Sequence, residues 1–135
     1  MTAIQLIDDP EDRYQPGACN IGPAEIERRR RSGIAGLVVA ALVAIALVVT
    51  DAPAVLRLAV WVPLFVGLLG FVQARMRFCV GYAAAGIKNF GPLGTQEKVA
   101  DSAAHREDLR RAAGVTIATG AVAAIITIAF MVLPV

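Results

Sequence analysis

"GIAGLVVAALVAIALVVT", residues 33–50, decides the fold. It carries no charge, and as a helix it is about 27 Å long, close to the hydrocarbon thickness of a bilayer. A second apolar run, "AVLRLAVWVPLFVGLLGFVQA" at 54–74, follows after the tight turn "DAP". A third, "AAGVTIATGAVAAIITIAFMVLPV" at 112–135, is uncharged throughout. Three transmembrane helices are therefore expected in an all-α integral membrane fold. The whole-chain numbers agree: 57% of the residues are hydrophobic and 18% charged, against about 25% charged in an ordinary soluble domain. Mean hydropathy is +0.64.

The segments between the runs are polar. Residues 1–23 hold acids, prolines and a glycine, and are expected to form an irregular cytoplasmic tail. "AEIERRRRS", residues 24–32, follows Pro23 and carries its acids early, so it is expected as an interfacial amphipathic helix. No apolar core with a small-residue cleavage site precedes the first span, which is expected to act as an uncleaved anchor. Residues 75–91, "RMRFCVGYAAAGIKNFG", mix basic, aromatic and small residues. They fit an interfacial or re-entrant segment docked beside 24–32. Residues 95–111 are expected as a cytoplasmic helix with Thr95 as N-cap, leading into the third span. Pro63 predicts a mild kink in the second span; Arg57 and Trp61 near its start fit a snorkelling cation and an interfacial aromatic.

Twelve of the thirteen Lys and Arg residues lie in 1–32 and 75–111, and the other is Arg57. By the positive-inside rule the N-terminus is expected in the cytoplasm and the C-terminus outside, across a plasma (inner) membrane. Arginine outnumbers lysine eleven to two, a bias that suggests a GC-rich bacterial genome.

Few constellations suggest chemistry. Cys19, Cys79 and His105 all fall on the expected cytoplasmic side, where a structural disulfide is not expected. They are the only candidates for a metal or thiol site, but no diagnostic ligand spacing joins them, so no metal and no cofactor is expected. Cys79 is expected to be buried and unreactive. Arg28, Arg29, Arg30, Arg31, Arg75, Arg77 and Lys88 form an expected collar for anionic headgroups, together with Arg110 and Arg111. Nucleic acid is not an expected partner, because the net charge is only +2 and acids interleave the bases. Arg57 is the only ionisable residue within the spans, which argues against ion-coupled transport. Gly67 and Gly70 notch the second span, and Thr116, Gly120 and Ala124 recur at four-residue spacing in the third. Such small-residue patterns favour close helix packing and suggest an oligomer or a larger complex.

"NIGPAEIERRRRSG", "VPLFVGLLGF" and "FCVGYAAAGIKN" together resemble the small two-span YgaP-like transmembrane domain family over residues 18–90. The matched positions are Asn20, Gly22, Glu25, Arg29, Gly33, Pro63, Gly70, Phe71, Cys79, Tyr82, Gly86 and Ile87. The resemblance implies an interfacial helix, two spans and a re-entrant or interfacial turn. This chain departs from the pattern by inserting "VQARMR" before the cysteine and by adding a third span. The rhodanese domain that often accompanies the family is not among these residues, so sulfur transfer is not implied.

No nucleophile–base pair or pair of carboxylates stands in a recognisable catalytic frame. The expected function is a non-enzymatic inner-membrane protein, either homo-oligomeric or an accessory, structural subunit of a larger complex. Its alternatives are an oligomeric small pore or carrier for an uncharged or anionic solute, and a membrane-tethered thiol or metal protein.

Overall fold

A computed structural model describes residues 14–135; the first part of the expected tail, residues 1–13, lies outside them. Three helices in it are long and apolar enough to cross a membrane. Helix α1 is Pro23–Val49, and a 3₁₀ segment, Ala54–Val60, runs directly into α2, Trp61–Met76. A short helix α3, Val80–Ala85, and a two-stranded ribbon of β1, Ile87–Lys88, and β2, Glu97–Lys98, precede the 31-residue α4, Ser102–Val132.

One expected boundary does not exist and another element starts elsewhere. The 24–32 segment is the first part of α1, and no break separates it from the apolar run. Pro23 sits in the first turn, where a missing N–H costs no bond, and Glu25 lies in the same turn. The expected 95–111 helix starts later, at Ser102, and runs without a break into the third apolar run, as expected. Its N-cap is Asp101, whose carboxylate accepts from the Ala103 N–H at 3.1 Å, while Thr95 lies in the preceding loop. At 1.5 Å per residue α4 is about 46 Å long, so it outruns a hydrocarbon core of about 30 Å. Pro63 is also better accommodated than expected. It is the third residue of α2, at the 3₁₀-to-α transition, where few backbone bonds depend on its missing N–H.

Turns are closed by backbone geometry. Asp51 adopts a left-handed conformation (φ 50°), and the Ala52 N–H reaches the Leu47 carbonyl while the Asp51 N–H reaches that of Val48. This paired arrangement satisfies the carbonyls left open at the end of α1. Arg77 ends α2 in the same conformation (φ 57°), and its carbonyl accepts from the backbone of Asn20 and Ile21.

Helices α1 and α2 pack antiparallel through two pairs of glycines. A Cβ on Gly36 would stand 2.6 Å from the Cα of Gly67, and one on Gly70 would stand 2.7 Å from the Gly33 nitrogen. The backbones are therefore in direct contact, the kind of packing that drives helix association where apolar burial alone gives no advantage over lipid. Gly67 and Gly70 thus find their partners within the same chain. Helix α4 closes the bundle around Ala40, Val60, Leu64 and Ala123. It buries the stripe Val115, Thr119, Ala123 and Thr127, while Thr116, Gly120 and Ala124 lie half-buried at its edge. Gly120 faces Trp61 and Phe65.

Arg57 differs most from expectation. It is 6% exposed and donates to the carbonyls of Phe130 (3.0 Å), Leu133 (3.0 Å) and Val135 (2.5 Å). Its guanidinium also lies over the Phe130 ring. A cation at the carbonyl end of α4 meets the negative end of the helix dipole, so the side chain turns inward to a second helix instead of outward to headgroups. Trp61 likewise turns inward. Its indole N–H donates to the Gly120 carbonyl at 3.2 Å and its ring stacks on Phe65.

Candidate functional site: a buried polar knot beside an apolar groove

At the end of the bundle opposite Arg57, α1, α3 and the segment after β1 converge on one carboxylate. Glu25 is wholly buried. Its Oε1 accepts from the Tyr82 hydroxyl at 2.7 Å and from the Asn89 amide at 3.2 Å. Oε2 has no hydrogen bond among the described residues, but it lies 3.5 Å from the Arg29 guanidinium, one helical turn away. Arg29 in turn lies over the Tyr82 ring and donates to the Cys79 sulfur at 2.9 Å. The Gln96 amide donates to the Tyr82 hydroxyl at 3.2 Å.

Two buried asparagines tie the backbone around this carboxylate. Asn20 makes a pair of hydrogen bonds to the Cys79 backbone: its Oδ1 accepts from the Cys79 N–H at 2.7 Å, and its amide donates to the Cys79 carbonyl at 3.1 Å. Asn89 Oδ1 accepts from the Gly91 N–H and the Thr95 hydroxyl, both at 3.0 Å. The chain before α1 runs beside the segment after α3, with the Gly22 N–H on the Asn89 carbonyl and the Asn89 N–H on the Asn20 carbonyl. Gly22 is required here because a Cβ would stand 2.7 Å from the Phe90 carbonyl oxygen. A second tie fixes the 14–19 loop to α4. Asp108, wholly buried, accepts from the Tyr14 hydroxyl at 2.5 Å and from the Gly17 N–H at 2.7 Å.

These contacts push both tyrosines the same way. Burial raises the Tyr82 hydroxyl above its ordinary pKa; the Gln96 bond opposes that rise and the Glu25 bond adds to it. Burial and then the Asp108 bond raise Tyr14. Both phenols stay protonated and donate to carboxylates through the neutral pH range.

The expected headgroup collar is only partly available. Arg28, Arg30, Arg31, Arg75 and Arg77 are exposed, with Arg30 and Arg31 paired to Glu27. Arg29 is drawn into the knot, and Lys88 lies over the Tyr14 ring. The metal candidates are not brought together: among the described residues no three His, Cys, Asp or Glu side chains form a group able to hold an ion. Cys79 is 3% exposed and contacts Arg29, the Cys19 thiol points to the Ile21 carbonyl, and His105 packs on Gly86.

Beside the knot, α2 and α4 leave an apolar groove of about 800 Å³. Leu68, Val72 and Met76 form one wall and Val115, Ala118 and Val122 the other. Arg110, Arg111 and Glu107 stand at its polar end, where Pro16 and Gly17 close it.

Residue types alone did not single out Asn89, Gln96 or Asp108. Arg29 is expected in the headgroup collar and Cys79 as a buried thiol, while Asn20, Glu25 and Tyr82 enter through the family resemblance, and all five lie in the knot. Comparison with known protein families, with characterised proteins and with solved structures finds no match to this chain.

Proposed function

We propose that this chain is a non-enzymatic, three-span protein of a bacterial inner membrane, with its knotted, basic end in the cytoplasm, that acts by associating with copies of itself or as an accessory subunit of a larger membrane complex. The observation that carries the reading is the contrast between the two surfaces of the bundle. At the knotted end Glu25, Arg29, Tyr82 and Cys79 are bound to one another and Asp108 to Tyr14, with Glu25 and Asp108 wholly buried. The spans instead turn apolar side chains outward: Leu42 is 61%, Ile117 72% and Ile125 68% exposed. Surfaces of that size on a folded chain meet lipid or other helices. The network functions as a clamp, holding the cytoplasmic ends of the helices in register so that their outer faces form a fixed surface. The YgaP-like resemblance agrees with this reading, since the knot is built on residues that carry it.

Native mass spectrometry of the chain extracted from its own membranes in mild detergent tests the proposal. A closed homo-oligomer or a defined complex with other membrane subunits is expected. A strictly monomeric species, with no co-purifying chain under several detergents, would contradict it.

A further inference from the structure

We propose that the groove between α2 and α4 is a binding site for one anionic phospholipid of the cytoplasmic leaflet, its acyl chain lying along the groove and its phosphate at Arg110 and Arg111. The inference rests on the membrane-spanning reading above. Three observations carry it.

The first is shape. The groove follows α4 from Glu107 to Val122, and its stretch from Arg111 onward rises about 16 Å, which is one leaflet of a core about 30 Å thick. Its floor is open at Gly114, where an added Cβ would meet nothing within 4 Å. The second is polarity along the length: aliphatic walls give way to two adjacent arginines only at the end where the chain turns polar. The third is that these arginines are available. Arg110 is largely exposed and its one ion pair among the described residues, to Glu107, is long at 3.9 Å, while Arg29 and Lys88 at the same end are held on aromatic rings. A basic pocket between spans on the cytoplasmic side is the geometry that selects anionic headgroups over zwitterionic ones. The opposing wall comes from Pro16 and Gly17, pinned to α4 by the bond from Gly17 to Asp108, so the mouth has a fixed width.

The test uses the purified full chain in detergent, titrated with phosphatidylglycerol or phosphatidylcholine and read by native mass spectrometry. Wild type is expected to retain one phosphatidylglycerol about tenfold or more in preference to phosphatidylcholine. The double variant R110Q/R111Q should lose the preference, and Gly114→Leu, which fills the floor, should lose retention of both lipids. R30Q/R31Q, which removes two exposed arginines away from the groove, should behave as wild type. Equal retention of the two lipids, loss in R30Q/R31Q matching that in R110Q/R111Q, or unchanged binding in Gly114→Leu would each overturn the site. A second protein chain displacing the lipid in native mass spectra would overturn it as well. Failure of the spanning reading is separately visible: an alkaline carbonate wash would then release the chain from its membranes.

Discussion

Glu25 is the residue on which the knotted end depends. Removing it leaves the Arg29 guanidinium without its carboxylate and takes the acceptor from Tyr82 and Asn89. Breaking one side of a buried pair costs more than the pair contributes, because the partner charge stays desolvated. Glu25→Ala is therefore expected to destabilise the folded chain by about 3 kcal/mol, measured by denaturant titration in detergent. Glu25→Gln, which keeps an acceptor, should lose less. A pH dependence follows from the tyrosines. Both phenols have folded-state pKa values above their ordinary value of 10.0, so the folded chain binds more protons than the unfolded one in alkali. Their contribution is complete below about pH 10 and is lost as the pH rises beyond it. Thermal unfolding between pH 8 and 11 should show a falling Tm above pH 10, and a shallower fall in the double variant Y14F/Y82F. An identical alkaline profile in that variant would remove the tyrosines from the account.

At the scale of elements, the α1–α2 pair is set by backbone contact and α4 by side chains. Gly67→Val is expected to force the helices apart, since even its Cβ would stand 2.7 Å from the Leu37 nitrogen. Overpacking of this kind typically costs about 1–3 kcal/mol. Gly114→Ala, by contrast, meets open space and should be neutral or stabilising by up to about 1 kcal/mol through helix propensity. Circular dichroism during denaturant titration separates the two outcomes, and equal effects would contradict the glycine contact. The three long apolar helices were legible in the sequence because length and absence of charge are local properties. The glycine notch was legible too, but its partner was not. Gly33 and Gly36 lie more than thirty residues from Gly67 and Gly70, and nothing in residue type distinguishes a contact within the chain from one between chains. Arg57 was misjudged for a related reason. A cation near a span end fits headgroups, and only the fold brings the carbonyls of Phe130, Leu133 and Val135 to it.

For the whole molecule, the polar segments that look like separate pieces of sequence form one cap. Residues 20–22, the start of α1, the α3 segment and the ribbon loop meet at the Glu25 end, and α4 reaches the same end through Asp108. That convergence was only partly readable, since Asn20, Asn89 and Asp108 are ordinary polar residues until burial makes each of their bonds obligatory. The central claim is that this cap lies on one side of a membrane that the chain crosses three times. Single cysteines placed at positions 27, 98, 52 and 134 of a cysteine-free variant test it directly, using a membrane-impermeant maleimide on intact cells and on inverted vesicles. The account predicts that 27 and 98 react only in inverted vesicles, and that 52 and 134 react in intact cells. Labelling of 27 and 134 from the same side would mean an even number of crossings and would contradict it.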